Sequence, residues 1–428
     1  MKNPNPFAPL DRAGLPPEPL ARWASIFFTF SIATLLLSVA ASQSFLALSG
    51  LCYAAHLLSR PAAPAFLPIK LPLALFCLTT VLSIFWSENP AASGFVIKKL
   101  VLFVILILTV NLMTSARQLA WAFKAIFVDA ALAGVWGAVE FVRQLHQVRL
   151  LHPARVYTFM TVQRITGFMG HWMNFGGQQM LALAALLAFL LFHGSGTKGD
   201  NARSRSAAPG VLWVVIAVVV TFSILLNFTR GVWLASTLAV IYLVARWRVR
   251  WLWLLPVLGA ILIFASPRLL RSRLDSVFHP GAHPSEAIRL EMWRVGFRMI
   301  RQHPLVGVGP GNIIEMYPLY MPPGKTPMVG YHDHLHNDYV QFAAERGIPC
   351  LLAWLWMMMA LGIHNLRLCK KLGPLRWVAQ ASFAAWIALL AEGLFEFNFG
   401  STPVLAVYLF LAAAPFAAER IETLEKRG

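Results

Sequence analysis

Three histidines alternate in "YHDHLHNDYVQFAAERGIP", residues 331–349: His332, His334 and His336, with Asp333, Asn337 and Asp338 among them. Imidazoles at this spacing suit two chemistries, metal ligation and proton transfer near neutral pH. The metal reading finds little elsewhere in the chain. No C-x-x-C or H-E-x-x-H occurs, and the metallo-hydrolase order H-x-H-x-D-H fails, because His336 stands at the aspartate position and Asn337 at that of the last histidine. The site is therefore expected to work without a metal or other cofactor; a metal tract and a merely polar loop are the competing readings.

For proton transfer, position decides. Asn337 or Asp338 can cap a helix that begins here, which leaves His336 at its N-terminal edge. The positive end of a helix dipole favours neutral imidazole, the form a general base needs. His334 is then a support for His336 or for a substrate, and His332 is incidental.

Cations form the second set. In "PSEAIRLEMWRVGFRMIRQHP" a helical period puts Arg294, Arg298 and Arg301 on one polar stripe. Arg289 falls instead with Trp293, Gly296 and Ile300 on the inward face. A guanidinium there needs an anion, either Glu392 or Glu396 in a structural ion pair or the phosphate of a ligand. Arg230 in "NFTRGVWLA" sits at a tight connection whose Gly231 permits close backbone approach; it either clamps an anion or snorkels to the interface. Lys98, Lys99 and Arg164 carry the same two readings. "HPLVGVGPGN", residues 303–312, lacks the dinucleotide-binding spacing and reads as a turn.

The elements that must hold these residues are apolar. The chain is 58% hydrophobic and 13% charged, with a mean hydropathy of +0.64. Its uninterrupted apolar runs predict an all-α polytopic membrane protein with about twelve transmembrane helices. They are expected near 23–41, 44–58, 71–86, 97–113, 119–142, 178–193, 211–227, 231–246, 250–266, 345–364, 377–396 and 402–418. The first run is read as a retained span rather than a signal peptide. Cys52, Cys77, Cys350 and Cys369 lie in or beside apolar runs and read as packing residues.

Arg117, Arg246, Arg248, Arg250, Arg367, Lys370, Lys371, Arg376 and Arg420 fall in alternate connections or the tail, whereas "SENPAASG" and "NFGSTP" hold no Lys or Arg. That alternation puts both termini in the cytoplasm. Two long basic connections lie outside, one near 143–177 (Arg143, Arg149, Arg155, Arg164) and a larger, partly helical one at 267–344 between spans 9 and 10. The chain thus divides into spans 1–9 (1–266), a catalytic loop (267–344), and spans 10–12 with the tail (345–428). The net charge of +18 is assigned to topology and to anionic lipid or pyrophosphate headgroups, not to nucleic acid.

Taken together, Arg230-Gly231 at the head of a span, Arg289 and Trp293 in an R-x3-W helix, "HPLVGVGPGN" and "HLHNDYVQFAAERGIP" in a long late loop resemble the O-antigen ligase and polymerase superfamily. The likeness is concentrated in residues 164–176 and 225–355. It implies a metal-independent glycosyl transfer at the periplasmic face of a Gram-negative inner membrane. The donor would be O-antigen polysaccharide on undecaprenyl pyrophosphate, and the acceptor a hydroxyl of lipid A–core oligosaccharide. In that chemistry His336 is the base, Arg289 and Arg230 hold the pyrophosphate, and His334, Arg164, Lys98, Lys99, Asn337 and Trp293 contact substrate. Direct displacement would invert the anomeric centre. Polymerase and protein O-oligosaccharyltransferase are the alternatives within the superfamily; the lack of a large C-terminal extension weighs against the second. A transporter of an anionic lipid would instead place charges mid-span, whereas the ionisable residues here gather at span ends.

Overall fold

The computed structural model describes residues 18–61, 63–94, 96–156, 159–160, 163–194, 210–254, 256, 284–324 and 333–426. Most of the expected ninth span, most of the cytoplasmic linker, the part of the large loop before 284, Lys325 and His332 lie outside them. All regular structure among the described residues is helical, with no strand. This follows from the solvent: in hydrocarbon the backbone must satisfy itself within each segment.

The apolar helices are α1 (Pro19–Ala33), α2 (Val39–Ser59), α3 (Lys70–Phe85), α4 (Pro90–Leu112), α5 (Ala116–Leu151), α6 (Trp172–Phe192), α7 (Val211–Leu226) and α8 (Arg230–Arg248). After α9 (Pro284–Gln302) and the single turn α10 (Ile313–Met316) come α11 (Asp338–Lys371), α12 (Arg376–Glu392) and α13 (Thr402–Glu425). Six described helices are long and apolar enough to cross a membrane: α4, α5, α6, α8 with its 3-10 extension to Trp253, α11 and α13. α6 and α13 are the central pair, each 83% buried over its apolar window, against 28–47% for the other four. Small residues allow this. A Cβ on Gly177 of α6 would lie 2.8 Å from Val404 of α13, and alanines recur along both helices. Large apolar side chains such as Leu51, Phe85, Val101 and Leu352 face outward.

Several boundaries differ from the sequence reading. The expected span 23–41 is broken at 34–38, where Ser38 caps α2 by accepting from Ala41 N at 3.3 Å. α5 runs to Leu151, so Arg143 and Arg149 lie on a helical extension rather than in a loop. α6 begins at Trp172, capped by His171. α12 stops at Glu392, earlier than the expected 396, and this moves Glu396 out of a helix into a turn.

α11 is two helices in one. Gly347 has φ +83° and ψ 167°, and Pro349 follows it. The "HPLVGVGPGN" turn docks into this kink. Val308 N and Gly309 N donate to Ala344 and Glu345 carbonyls at 2.9 Å, and Ile348 N donates to Pro304 O at 2.8 Å. Gly307, Gly309 and Gly311 all have positive φ, and a Cβ on Gly307 would strike the Glu345 backbone. The glycines therefore serve backbone approach. Above the docked turn, Met292, Val295 and Met299 of α9 pack with Ile313, Tyr317, Leu335 and Val340 into a small separate core.

Candidate active site

His336, Arg289 and Glu396 meet. His336 Nδ1 lies 2.6 Å from one oxygen of Glu396, and Arg289 Nη2 donates to the other at 2.5 Å. Glu396 is 1% exposed. Burial alone would push its carboxyl up, but the hydrogen bond with His336 and the charge of Arg289 outweigh that and hold it below the usual carboxylate range.

Local folding explains how they meet. The turn after α12 carries Glu396, and residues 337–339 are strapped to it. Asn337 caps α11, accepting from Val340 N at 2.9 Å, and its Nδ2 donates to Leu394 O at 3.0 Å. Asp338 N donates to Gly393 O at 2.7 Å, and its carboxylate accepts from Phe399 N at 3.1 Å. Tyr339 Oη donates to Leu390 O at 3.0 Å. These bonds hold His336 at φ +47°, a left-handed conformation that costs a non-glycine residue about 1 kcal/mol. Asn337, not Asp338, is the cap, and the group that acts directly on His336 is a carboxylate, where the sequence pointed only to a helix terminus.

His334 stacks on His336 with ring centroids 4.2 Å apart. Burial, and then the neighbouring His336, push it down to about 4, so it is neutral at physiological pH. It faces a cavity of about 230 Å³ whose wall includes His171, Asn174, Glu396, Asn398 and Ser401. Ser401 Oγ donates to Asn174 Oδ1 at 2.8 Å.

The other sequence candidates are placed as follows. Arg230 opens α8, half-buried, and its neighbour Gly231 packs on the Glu396-bearing turn; a Cβ there would lie 3.2 Å from both Glu392 and Phe395. Arg164 lies 3.9 Å over the Trp172 ring and acts electrostatically on His171 together with Glu396 and His336. Lys99 Nζ donates to Gly400 O at 2.6 Å, while Lys98 is exposed. Trp293 packs against the small core of the loop rather than lining the cavity. The supposed Arg294–Arg298–Arg301 stripe is broken, because Arg298 is half-buried and donates to Tyr320 O at 2.7 Å.

Three residues escaped the sequence reading as site members. Glu396 was named only as an ion-pair partner. Glu392, buried and hydrogen-bonded by Asn398, lies close enough to Glu396 and Arg289 to feel their charges. His171 is the third, and its only sequence signal was a histidine next to the basic "QRITGFMGHW" stretch.

A ligand atom from each of His334, His336 and Glu396 lies within 4.8 Å of the others, close enough to converge on a cation. Against this, both carboxylate oxygens of Glu396 are engaged, one by Arg289 and one by His336.

A bundle of apolar helices that holds a buried histidine–carboxylate–arginine constellation beside a cavity is the architecture of a helical membrane protein with a charged site. Residues 214–355 match the family model described as O-antigen ligase, a family of the O-antigen ligase and polymerase superfamily. The matched stretch contains Arg230, Arg289, His334, His336 and Asn337 but not Glu396. No curated protein matches the chain. The superfamily is bacterial, membrane-associated and glycosyltransferase-like, and it implies polysaccharide or lipid-linked substrates in general.

Proposed function

We propose that this protein is an O-antigen ligase, moving O-antigen polysaccharide from undecaprenyl pyrophosphate to lipid A–core oligosaccharide at the periplasmic face of the inner membrane. The observation that carries the reading is the Arg289–Glu396–His336 relay. With Nδ1 donating to Glu396, His336 keeps a lone pair on Nε2, and the carboxylate steadies the positive charge that develops when Nε2 takes a proton. The acceptor hydroxyl gives up that proton and its oxygen bonds to the anomeric carbon. The bond from that carbon to the pyrophosphate oxygen breaks, the electron pair leaves with the phosphate, and the configuration inverts. Arg289 commits only Nη2 to Glu396 among the described residues, so its remaining N–H groups suit a phosphate. Arg230, across the same turn, is the second clamp. His334 is a poor base, and its place on the cavity wall suits substrate orientation, as do those of His171, Asn174 and Ser401.

The test is transfer by purified protein supplied with lipid-linked O-antigen and lipid A–core. Polymer is expected on lipid A, and growth on the carrier alone would make the protein a polymerase. His336→Ala is expected to lower transfer about 10²–10⁴-fold with assembly intact. Activity is expected to persist in EDTA; a loss restored by zinc would turn His334, His336 and Glu396 into a metal site.

A further inference from the structure

The wall of the histidine cavity mixes hydrogen-bond donors with acceptors and carries little charge. Its volume of about 230 Å³ is roughly that of eight waters at ~30 Å³ each, room for one sugar ring and not for two. The wall comes from the first turn of α6 with His171 and Asn174, the chain from Glu396 to Ser401, and His334. Asn174 Oδ1 accepts from Ser401 Oγ at 2.8 Å. That leaves Asn174 Nδ2 without a partner among the described residues and Ser401 Oγ with its lone pairs to offer. Asn398 gives Nδ2 to Glu392 and keeps Oδ1. His171 Nδ1 accepts from Met173 N at 3.3 Å, so the neutral ring carries its proton on Nε2. Half-buried Phe397 adds an aromatic side chain, its ring centre 6.3 Å from that of His334.

These groups select a ligand. A hydroxyl both donates and accepts, so amide N–H, amide carbonyl and hydroxyl groups side by side suit a ring of hydroxyls, and an aromatic side chain suits the C–H face of that ring. A phosphate or carboxylate only accepts, and it is held best by cations. Among the described residues no Lys or Arg lines the cavity, and the charged group on its wall is the Glu396 carboxylate, which repels an anion. Two sugars meet in a glycosyl transfer. The donor's reacting sugar is bonded directly to pyrophosphate and brings that charge with it, whereas the acceptor's sugar brings none. Glu396 ties the cavity to the base, because it lines the first and is hydrogen-bonded with His336. We infer that the cavity seats the terminal sugar of the acceptor, and that Asn174, Asn398 and Ser401 make it select an uncharged ring over a phosphorylated or acidic one. This rests on the glycosyl-transfer reading above and adds which partner fills the cavity and what that partner must not carry.

The experiment measures acceptor binding by the full chain in phosphatidylcholine nanodiscs with no donor present, which reads the cavity apart from the chemistry. Two acceptors are compared: lipid A–core ending in a neutral hexose, and the same molecule with a phosphate on that hexose. The neutral form is expected to bind about tenfold tighter or more. Asn174→Asp keeps an acceptor for Ser401 Oγ, and so keeps the contact between α6 and the turn, but replaces the amide N–H donors by a second carboxylate oxygen. It is expected to weaken binding of the neutral acceptor about tenfold and to leave binding of lipid-linked O-antigen unchanged; Ser401→Ala should act in the same direction, several-fold. Equal binding of the two acceptors overturns the selection. Unchanged acceptor binding in both variants overturns the seat, and a loss of donor binding in place of acceptor binding gives the cavity to the donor sugar. Failure of the ligase reading looks different: the acceptor binds and the variants lose it as expected, yet no polymer reaches lipid A in the transfer assay.

Discussion

In the proposed transfer, Glu396 is the residue on which the chemistry turns. It holds His336 in one tautomer and Arg289 in one place, and its own charge is stabilised by both. Glu396→Gln keeps the shape but loses the anion, and is expected to cut transfer about 10²-fold or more, measured as single-turnover transfer to lipid A. Arg289→Lys is expected to be a poor substitute, because an ammonium cannot serve the carboxylate and a phosphate in one plane. Its defect and that of Glu396→Gln should be markedly non-additive in the double variant; simple additivity would mean that the two do not work as a unit. His334 makes one contribution to the pH dependence of stability. Its folded value of about 4 lies below the unfolded value of about 6.5, so between them the unfolded chain binds more protons. The His334 contribution to stability must therefore fall as pH drops from 6.5 to 4. Loss of the Glu396 contribution, present above the usual glutamate value, follows as pH falls through its depressed folded value. The difference in melting temperature between wild type and His334→Asn should therefore shrink as pH falls from 6.5 to 4.

At the scale of elements, the site depends on three chain reversals: the turn after α12, the strained approach to α11, and the glycine turn docked in the α11 kink. Gly347 is the test position. Its positive φ and the closeness of Leu305 O leave no room for a Cβ. Gly347→Ala is expected to destabilise by about 3 kcal/mol, seen as a lower melting temperature and poor recovery in detergent. A neutral result would mean that the docked turn is not needed to position His336. Much at this scale was legible. A cap at Asn337 or Asp338, Arg289 on an inward face and the glycines as a turn all follow from local spacing. The end of α12 was missed, because "LLAEGLFEF" stays apolar past Glu392 and masks the one local stop signal, Gly393 at the C-cap. Only the hydrogen bonds from Asn337, Asp338 and Tyr339 show what the turn is for.

At the scale of the molecule, the basic residues predict sidedness. In a cysteine-free background, Lys98→Cys should react with a membrane-impermeant maleimide on intact inverted-free spheroplasts, and Lys371→Cys only after lysis. The reverse pattern would put the histidine cavity in the cytoplasm and overturn a periplasmic reaction. The sequence by itself determined the solvent and the class: apolar runs of membrane length dictate helices, since an unpaired backbone in hydrocarbon is too costly. It also singled out His336, Arg289 and Arg230, because ionisable residues at the ends of apolar helices stand out against so few charges. The partner of His336 was beyond it. Glu396 lies sixty residues away, and a contact across that distance depends on how α11, α12 and α13 pack, which a one-dimensional period does not encode. For the same reason only the tertiary structure decided that Arg289 meets a carboxylate and that Arg298 turns to a carbonyl.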